Sequence, residues 1–334
     1  MSPRGARRDG RARAAVVGAV SGDGCSVRDA LVESGVPGSR VDLYACSDGE
    51  VLLGEYAGEA RLIQEADAGE IGRHDVIFLC ETGEIAEQAA RAAGPHSVVI
   101  DVSGSLPAEA QSPLVHTDIN PEAARDHPGR LRVPHLITAL LTELLLPLER
   151  RFGLEEVVAF VLRPAADFGE AGVKELREQT LSLLNFGSVP TDTFGRQLAF
   201  NILPGRVVEE RTADLERRVI VETESLMGWD GPKMTLKMLT APVFYGHCLQ
   251  VRFRLKGSES AEEIQAVLEE GRFFAPGAAD GPATPLEVAT DASCSVSGLV
   301  EDGLGGFWLW AVAGDTPSRA AAHAVRLAEM VSDL

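Results

Sequence analysis

The sequence lacks paired cysteines. Its five cysteines, at positions 25, 46, 80, 248 and 294, are scattered, and none belongs to a Cys-x-x-Cys motif. This spacing argues against a zinc site and against a disulfide framework, and it fits a reducing compartment. No apolar run is long enough to span a membrane. No apolar signal-peptide core follows the Arg-rich first residues. We therefore expect a cytoplasmic protein without a metal.

Basic residues are also scarce. The chain has 31 Lys and Arg against 50 Asp and Glu, which gives a formal net charge of −19. Such a charge repels nucleic acid and anionic membrane surfaces, so neither is an expected partner. The length of 334 residues suffices for two domains, each with its own core.

Short apolar runs alternate with helical patterns in the first part of the chain. The pattern predicts helices at 26–34 and 85–93, and strands at 14–20, 41–46, 75–80 and 97–101. Strands that are apolar on both faces are typical of a parallel sheet covered by helices. We predict a disordered tail over 1–12 and a Rossmann-like α/β domain over 13–132. Ligands of such folds bind at the carboxyl ends of the strands.

Longer strand-like runs appear after residue 130. The pattern predicts strands at 157–162, 218–223, 234–240, 249–255 and 307–313. It predicts helices at 172–184, 260–270, 316–333 and 137–148, the last closed by Pro147 and Gly153. Together they indicate an α+β domain over 133–314, with a mixed or largely antiparallel sheet, and a C-terminal helix within 315–334.

A glycine-rich turn joins the first strand to the first helix. Gly18, Ser21, Gly22 and Gly24 stand where a dinucleotide pyrophosphate would rest. In a Gly-x-x-Gly-x-x-Gly register the middle position is Ser21, and Asp23 adds a carboxylate beside the phosphates. Two interpretations remain: a nucleotide-binding loop, or a plain turn whose glycines serve the backbone angles.

A histidine follows a turn-capable Tyr245-Gly246 pair and opens a predicted strand. His247 can act as a proton-transfer group, because its pKa lies near working pH. Whether it does so depends on a nucleophile elsewhere in the chain. Its immediate neighbour Cys248 is an unsuitable partner, because successive residues of a strand point to opposite faces.

Several segments together resemble aspartate-semialdehyde dehydrogenase over nearly the whole chain. They are Val16 to Gly24, Val99 to Ser103, Asp118-Ile119-Asn120-Pro121, Gly195 to Pro204, Pro242 to His247 and Ala322 to Glu329. The resemblance implies a homodimer with a dimerisation and substrate domain and a C-terminal helix that returns to the first domain. In the family a cysteine thiolate attacks the aldehyde, hydride passes to NADP, and phosphate releases the acyl group. The segment around Gln197 is similar to a Usg-like branch that shares the fold and lacks the catalytic set.

The chain departs from the family at the positions that carry this chemistry. Leu136 stands at the nucleophilic cysteine, and an alkyl chain cannot form a thioester. Arg163 replaces an orienting Gln, and Thr240 replaces the Arg that grips the substrate carboxylate. His247 and Glu222 remain. Other changed positions are Pro107 at the phosphate-binding Arg, Ser47-Asp48 at the pair that reads the 2′-phosphate, Ser318-Arg319 at a Lys-Gly, and Ala166 to Gly169 at a Ser-Gly-Ala-Gly loop.

These departures predict a protein without dehydrogenase activity. We expect a structural, regulatory or ligand-sensing role, no required cofactor, weakened NADP or NAD binding, and a small ligand at the mouth of the first sheet. The alternative is an NAD(P)-dependent oxidoreductase of amino-acid biosynthesis that acts through altered residues. We predict that Cys25 and Cys80 are small packed residues and not nucleophiles. His135 is expected to make a hydrogen bond at the start of a helix. Arg163 is expected to pair with Asp167 or Glu222.

Overall fold

The chain divides into two units in the computed structural model. It describes residues 12–46, 52–107, 112–125, 129–208, 212–271, 274–276, 281–288, 294–314 and 319–334. The first unit comprises Met1–Leu136 with Pro317–Leu334, and the second comprises Ile137–Thr316. The sequence placed these divisions at 132/133 and 314/315. Residues 1–11 of the predicted tail lie outside the described residues. Ala12, the last residue of that prediction, is buried, and its N–H donates to Asp333 O at 3.2 Å.

The first unit begins with a strand-and-helix alternation. Its strands are β1 (Ala14–Val17), β2 (Val41–Ala45), β3 (Leu52–Tyr56), β4 (Glu59–Glu65), β5 (Val76–Leu79), β6 (Val98–Asp101) and β7 (Arg130–Arg132). Its helices are α1 (Gly22–Glu33), α2 (Ala68–Ile71) and α3 (Glu84–Ala92). The strands join in the order β3-β4-β2-β1-β5-β6-β7. Every pair is parallel except β3 with β4.

The predicted parallel Rossmann-like sheet is confirmed. All residues of β1, β5 and β6 are buried, as expected for strands covered on both faces. One covering layer is α3, whose Ala86, Ala89 and Ala90 pack with Ile77 and Leu79 of β5. The small alanine side chains let this helix lie close to the sheet. This packing holds in place the strand ends where a ligand would bind.

The β3–β4 hairpin was not predicted. Its turn is Ala57-Gly58, and both residues have positive φ, 54° and 79°. Such a turn matches the twist of a two-residue hairpin. The strands around it are mostly polar or exposed, so the apolar alternation that marks a strand is weak here. Only pairing with β2 reveals them as an extension of the sheet.

The second unit contains the remaining strands and all but one of the remaining helices. Its helices are α4 (Leu136–Phe152), α5 (Gly169–Leu184), α6 (Gly205–Val208), α7 (Thr212–Met227), α8 (Ala261–Glu269) and α9 (Pro285–Val288). Its strands are β8 (Leu154–Arg163), β9 (Leu203–Pro204), β10 (Met234–Thr240), β11 (His247–Leu255), β12 (Phe274–Pro276), β13 (Cys294–Glu301) and β14 (Phe307–Ala313).

A mixed sheet forms the centre of the second unit, as predicted. Its order is β12-β13-β14-β11-β8-β10-β9. The pairs β8–β10 and β12–β13 are parallel, and the other pairs are antiparallel. β8 lies between β10 and β11 in this order, so the end of β8 at Arg163 is brought beside the neighbouring ends of both strands.

The strand predicted at 218–223 is wrong, because these residues belong to helix α7. The run contains Val219, Val221 and Thr223, whose β-branched side chains favour strands. The buried positions of α7, however, are Thr212, Glu216, Val219, Glu222, Thr223 and Met227, which follow the spacing of a helix face. Burial of polar Glu216 and Glu222 masked this period in the sequence.

Helix α4 also differs from its prediction. It continues through Pro147 to Phe152, although a proline removes a helical hydrogen bond. Leu144, Leu145 and Leu148 around it are fully or almost fully buried, and this burial offsets the lost bond. Gly153 (φ +74°) ends the helix as predicted, and its N–H donates to Leu148 O and Glu149 O.

The last helix, α10 (Arg319–Val331), belongs to the first unit, where it packs against α1 and β6. Its buried residues include Ala320, Ala324 and Leu327, which lie on one face. Within the part of the chain that the structure describes, no helix has the length and hydropathy of a membrane span.

Candidate functional site

The glycine-rich turn of the first unit closes on itself through a serine. Ser21 Oγ lies 2.8 Å from both Gly18 O and Cys80 O, which share its one hydrogen, and it accepts the N–H of Gly24 at 3.0 Å. Ser21 is therefore the N-cap of α1, a position that favours serine. The turn also receives support from β2, because the N–H groups of Gly18 and Ala19 both donate to Tyr44 O.

Two glycines of this turn are required by its packing. Gly18 has φ +83°, and a Cβ there would lie 2.5 Å from Glu81 Cβ. A Cβ on Gly24 would lie 2.1 Å from Gly18 O. Side chains cannot be accommodated at either position, so the glycines are explained without any ligand.

Carboxylates and thiols surround the carboxyl ends of the first sheet. Burial raises the pKa of the Cys46 thiol to about 12, and the negative charge of Glu81 adds to the shift. Burial also raises the pKa of the Cys80 thiol, and Asp23 and Asp101 raise it further. Both thiols stay protonated at neutral pH. A pyrophosphate at this mouth would meet negative charge from Asp23 and Glu81, so the residues fit an NAD(P) phosphate poorly.

Asp101, at the end of β6, organises the loop that follows. Its Oδ1 accepts the N–H groups of Gly104 (2.9 Å) and Ser105 (3.1 Å), and its Oδ2 accepts the N–H of Leu106 (2.7 Å). A fully buried carboxylate satisfied in this way serves the loop backbone. Pro107, at the predicted phosphate position, is exposed, and Ser47, Asp48 and Ser318 lie outside the described residues.

The second unit brings three predicted positions together at one end of its sheet. β8 ends at Arg163, which pairs in register with Thr240 at the end of parallel β10. His247 begins antiparallel β11, one residue before Cys248, which pairs with Leu162 of β8. Arg163, Thr240 and His247 are 5%, 0% and 2% exposed, so this is a buried polar cluster.

Asp167 joins two of these residues. It lies on the short helical turn Ala165–Phe168 after β8. Arg163 Nε donates to Asp167 Oδ2, and His247 Nε2 lies 3.3 Å from Asp167 Oδ1. The guanidinium also stacks 4.7 Å from the centre of the Phe168 ring. Of the two partners expected for Arg163, Asp167 is the one observed to bridge it to His247.

Backbone bonds hold Asp167 in place. The N–H groups of Ala165 and Ala166 donate to Val243 O (2.8 Å) and Phe244 O (3.0 Å), which ties the turn to the segment before His247. That segment ends at Gly246 with φ +90°, a conformation that favours glycine. The Tyr-Gly-His sequence thus positions the histidine through its glycine.

Glu222 lies on α7 rather than on a strand. It is 3% exposed; its Oε2 accepts from Thr138 Oγ1 at 2.8 Å, and its Oε1 accepts from Arg218 Nε at 2.7 Å. Thr138 belongs to the first turn of α4, two residues after Leu136, which opens that helix and is 8% exposed. The Thr138–Glu222 hydrogen bond therefore joins α7 to the first turn of α4.

Sequence reasoning missed the bridging role of Asp167. The sequence named this residue as one of two partners expected for Arg163 and as part of a changed loop, but not as a neighbour of His247. Its spacing, four residues after Arg163, is common for ion pairs in helices. Here the two residues lie at a strand end and on the turn after it, not in one helix. His247 is distant in sequence, so only the tertiary structure establishes its approach to Asp167.

The chain shows similarity to known proteins over most of its length. The semialdehyde dehydrogenase dimerisation domain matches residues 145–316. An aspartate-semialdehyde dehydrogenase of Streptomyces akiyoshiensis is 30% identical over 96% of this chain and 98% of its own. A USG-1 protein homolog of Azotobacter vinelandii is 27% identical over 95% and 96%. The structure of a probable aspartate-semialdehyde dehydrogenase from Pseudomonas aeruginosa has a TM-score of 0.84 and 27% identity over 96% of this chain and 98% of that one.

Proposed function

The chain belongs to the semialdehyde dehydrogenase family, and we propose that it is a non-catalytic, homodimeric member with a structural, regulatory or ligand-sensing role. The Asp167 bridge carries the proposal. One carboxylate of the same chain accepts a hydrogen bond from Arg163 and lies 3.3 Å from His247 Nε2. α4 begins with Leu136, whose alkyl side chain offers no nucleophile for a histidine to activate.

Neither cysteine of the second unit supplies the missing thiol at His247. Cys248 packs with Ala283, Val288 and Val312, on the sheet face opposite to its neighbour His247. Cys294 shares the face of His247, because both pair in register with Ala313 of the strand between them. Two strand spacings separate them by about 10 Å, far beyond hydrogen-bond reach.

The residues at the carboxyl ends of the first sheet favour weakened nucleotide binding and a small ligand other than a nucleotide. Asp23 and Glu81 disfavour phosphates there, so a ligand suited to this mouth would be neutral or cationic. Such a ligand would give a sensing role without hydride chemistry, and the protein would then need no cofactor.

Activity with aspartate semialdehyde, phosphate and NADP tests the proposal. We expect no NADPH formation above the rate without protein. If the unaltered protein did turn over at an enzyme-like rate, His247→Asn would test the histidine. An unchanged rate in that variant would show that the histidine is dispensable. The Leu136→Cys variant serves as the matched probe, and we expect it to remain inactive because Arg163 and His247 are still held by Asp167. Turnover by the unaltered protein overturns the proposal.

An oxidoreductase remains the second candidate, and one observation favours it. The turn from β1 to α1 has the strand–turn–helix geometry of a nucleotide-binding loop, capped by Ser21. Calorimetry with NAD and NADP separates the candidates. Binding of NAD but not NADP would support the oxidoreductase, with Asp48 as the ribose-binding carboxylate. No binding of either at millimolar concentration would exclude hydride transfer.

The segment around Phe200 supports the homodimer. Phe200 and Ile202 are 72% and 55% exposed, and Phe200 has φ +61°, a strained conformation for an aromatic residue. Gln179 Oε1 accepts the N–H groups of Leu198 (2.7 Å) and Ala199 (2.9 Å), which holds the segment in shape. Exposed apolar side chains on a fixed support are typical of an interface.

Light scattering after size exclusion tests the assembly. The full chain is expected at the mass of two copies, and Phe200→Asp is expected to shift it toward one copy. Leu53→Asp is the matched control, because Leu53 is 79% exposed but lies on β3 of the first unit. A monomeric parent protein, or dissociation by the control alone, contradicts the proposed interface.

A further inference from the structure

Two buried histidines meet a carboxylate in the first unit. His116 and Asp118 follow the bridge at Leu114, and His323 lies on α10. One ligand atom from each of the three residues lies within 4.8 Å of the other two. The imidazoles are 0% and 2% exposed, and their ring centres are 4.0 Å apart. This set is separate from both regions described above.

Hydrogen bonds place a donor beside the Nδ1 atom of each imidazole. His116 Nδ1 accepts the backbone N–H of Asp118 at 3.3 Å. His323 Nδ1 lies 3.0 Å from Arg326 Nη2, which can only donate. Each Nδ1 therefore carries a lone pair rather than a hydrogen in this arrangement. An unprotonated imidazole nitrogen is the form that binds a metal ion.

A positive charge of the protein already contacts two members of this set, Asp118 and His323. Arg326 Nη2 is 2.8 Å from Asp118 Oδ2 as well as 3.0 Å from His323 Nδ1. Arg326 Nη1 makes a second contact with Asp118 Oδ1, at 3.2 Å. The Arg326 side chain is 47% exposed, so it can swing into solvent without leaving a cavity.

We propose that His116, Asp118 and His323 form a binding site for a divalent transition ion of the zinc or cobalt class, in competition with the guanidinium of Arg326. Two imidazoles and one carboxylate suit such ions, and a fourth position would remain for water. Thr117 Oγ1, 2.7 Å from His323 Nδ1, adds a nearby oxygen. The ion would tie α10 to the loop at 116–118, as Arg326 does in its place.

Cobalt titration of the full-length protein tests the site. Tetrahedral Co²⁺ bound by nitrogen and oxygen gives visible d–d absorption, whereas cysteine ligands add a sulfur-to-metal charge-transfer band. We expect binding without that band, and we expect Arg326→Ala to bind about tenfold more tightly because no cation has to be displaced. His323→Asn and Asp118→Asn should weaken binding by about tenfold or more.

His96→Asn is the matched control, because His96 is an exposed histidine outside the set. It should leave the affinity unchanged. Thermal unfolding gives a second measurement: Co²⁺ should raise the Tm of the parent protein and of Arg326→Ala, but not that of Asp118→Asn, whose surface change leaves both buried histidines in place.

Three results would overturn the inference. The first is a charge-transfer band from cysteine in place of the nitrogen–oxygen spectrum. The second is equal affinity of the parent and Arg326→Ala proteins, which would show that the guanidinium does not hold the ion position. The third is binding that survives both His323→Asn and Asp118→Asn, which would place the ion elsewhere.

Discussion

The sites at the strand ends of the two units differ in whether backbone or side chains form them. In the first unit the turn from β1 to α1 is built from backbone, and only glycine fits at Gly18 and Gly24. In the second unit the corresponding polar cluster is built from side chains, with Asp167 between Arg163 and His247. A backbone site keeps its shape whatever surrounds it, whereas a side-chain site changes its chemistry with each substitution. The shape of the first site is therefore set by its backbone, and the chemistry of the second by its side chains.

The largest effect is expected in the side-chain cluster. Asp167→Ala removes a carboxylate from an arginine that is 5% exposed, and a buried charge that loses its partner costs about 3–5 kcal/mol. Urea unfolding followed by circular dichroism measures the loss. The double variant Arg163→Met with Asp167→Leu is the control, because an apolar pair of similar size should recover most of it. A single variant as stable as the parent would show that the bridge does not stabilise the unit.

The next effect is expected in the backbone turn. Gly24→Ala places a Cβ 2.1 Å from Gly18 O, and a carbonyl held by Ser21 has little freedom to move. We expect a loss of about 3 kcal/mol in the free energy of unfolding. Gly231→Ala, where a Cβ meets nothing within 4 Å, should change it by less than about 0.5 kcal/mol. Equal effects of the two variants would contradict the close approach.

A smaller effect is expected where α4 meets α7. Thr138→Val removes the hydroxyl that donates to buried Glu222, at a cost of about 1–2 kcal/mol. Thr142→Val is a closely matched control: it is the same change on the same helix, and both threonines are 0% exposed. Thr142 Oγ1 donates to Thr138 O, a carbonyl of its own helix, so we expect almost no loss. Denaturation midpoints of the two variants should therefore differ.

The smallest effect concerns the thiol at the strand mouth. The pKa of Cys46 is raised to about 12 in the folded protein, against about 8.5 in an unfolded chain. A raised thiol pKa means that its stabilising contribution is complete below pH ~8.5 and falls as pH rises toward 12. Alkylation of Cys46 by iodoacetamide, followed by mass spectrometry, should stay slow in the folded protein between pH 7 and 9. The same cysteine in urea should react faster as pH passes 8.5.

Much of the fold could be predicted because its strongest signals are local. The strands of the first sheet are short, wholly apolar runs, and their burial on both faces leaves few alternatives. Helix α7 was misassigned because β-branched residues fill it while glutamates occupy part of its buried face. The β3–β4 hairpin was missed because its strands are half exposed and gain their stability from β2.

The candidate site could be predicted as a set of positions but not as a network. Resemblance placed Leu136, Arg163 and His247 in one region, and strand register brings the last two together. Their bridging by Asp167 depends on a turn tied to Val243 and Phe244. His116 and His323 escaped notice because about two hundred residues separate them in the chain.

The sequence by itself determined the parallel sheet, the mixed sheet and the alkyl side chain of Leu136 at the start of α4. These follow from apolar runs, strand spacing and the identity of one side chain, all of which are local properties. The tertiary structure chose Asp167 over Glu222 as the partner of Arg163, and it alone decided that Asp167 approaches His247 and that Arg326 meets Asp118 and His323. Ion pairs form between side chains that the folded backbone brings within a few ångström, and no local pattern encodes that distance.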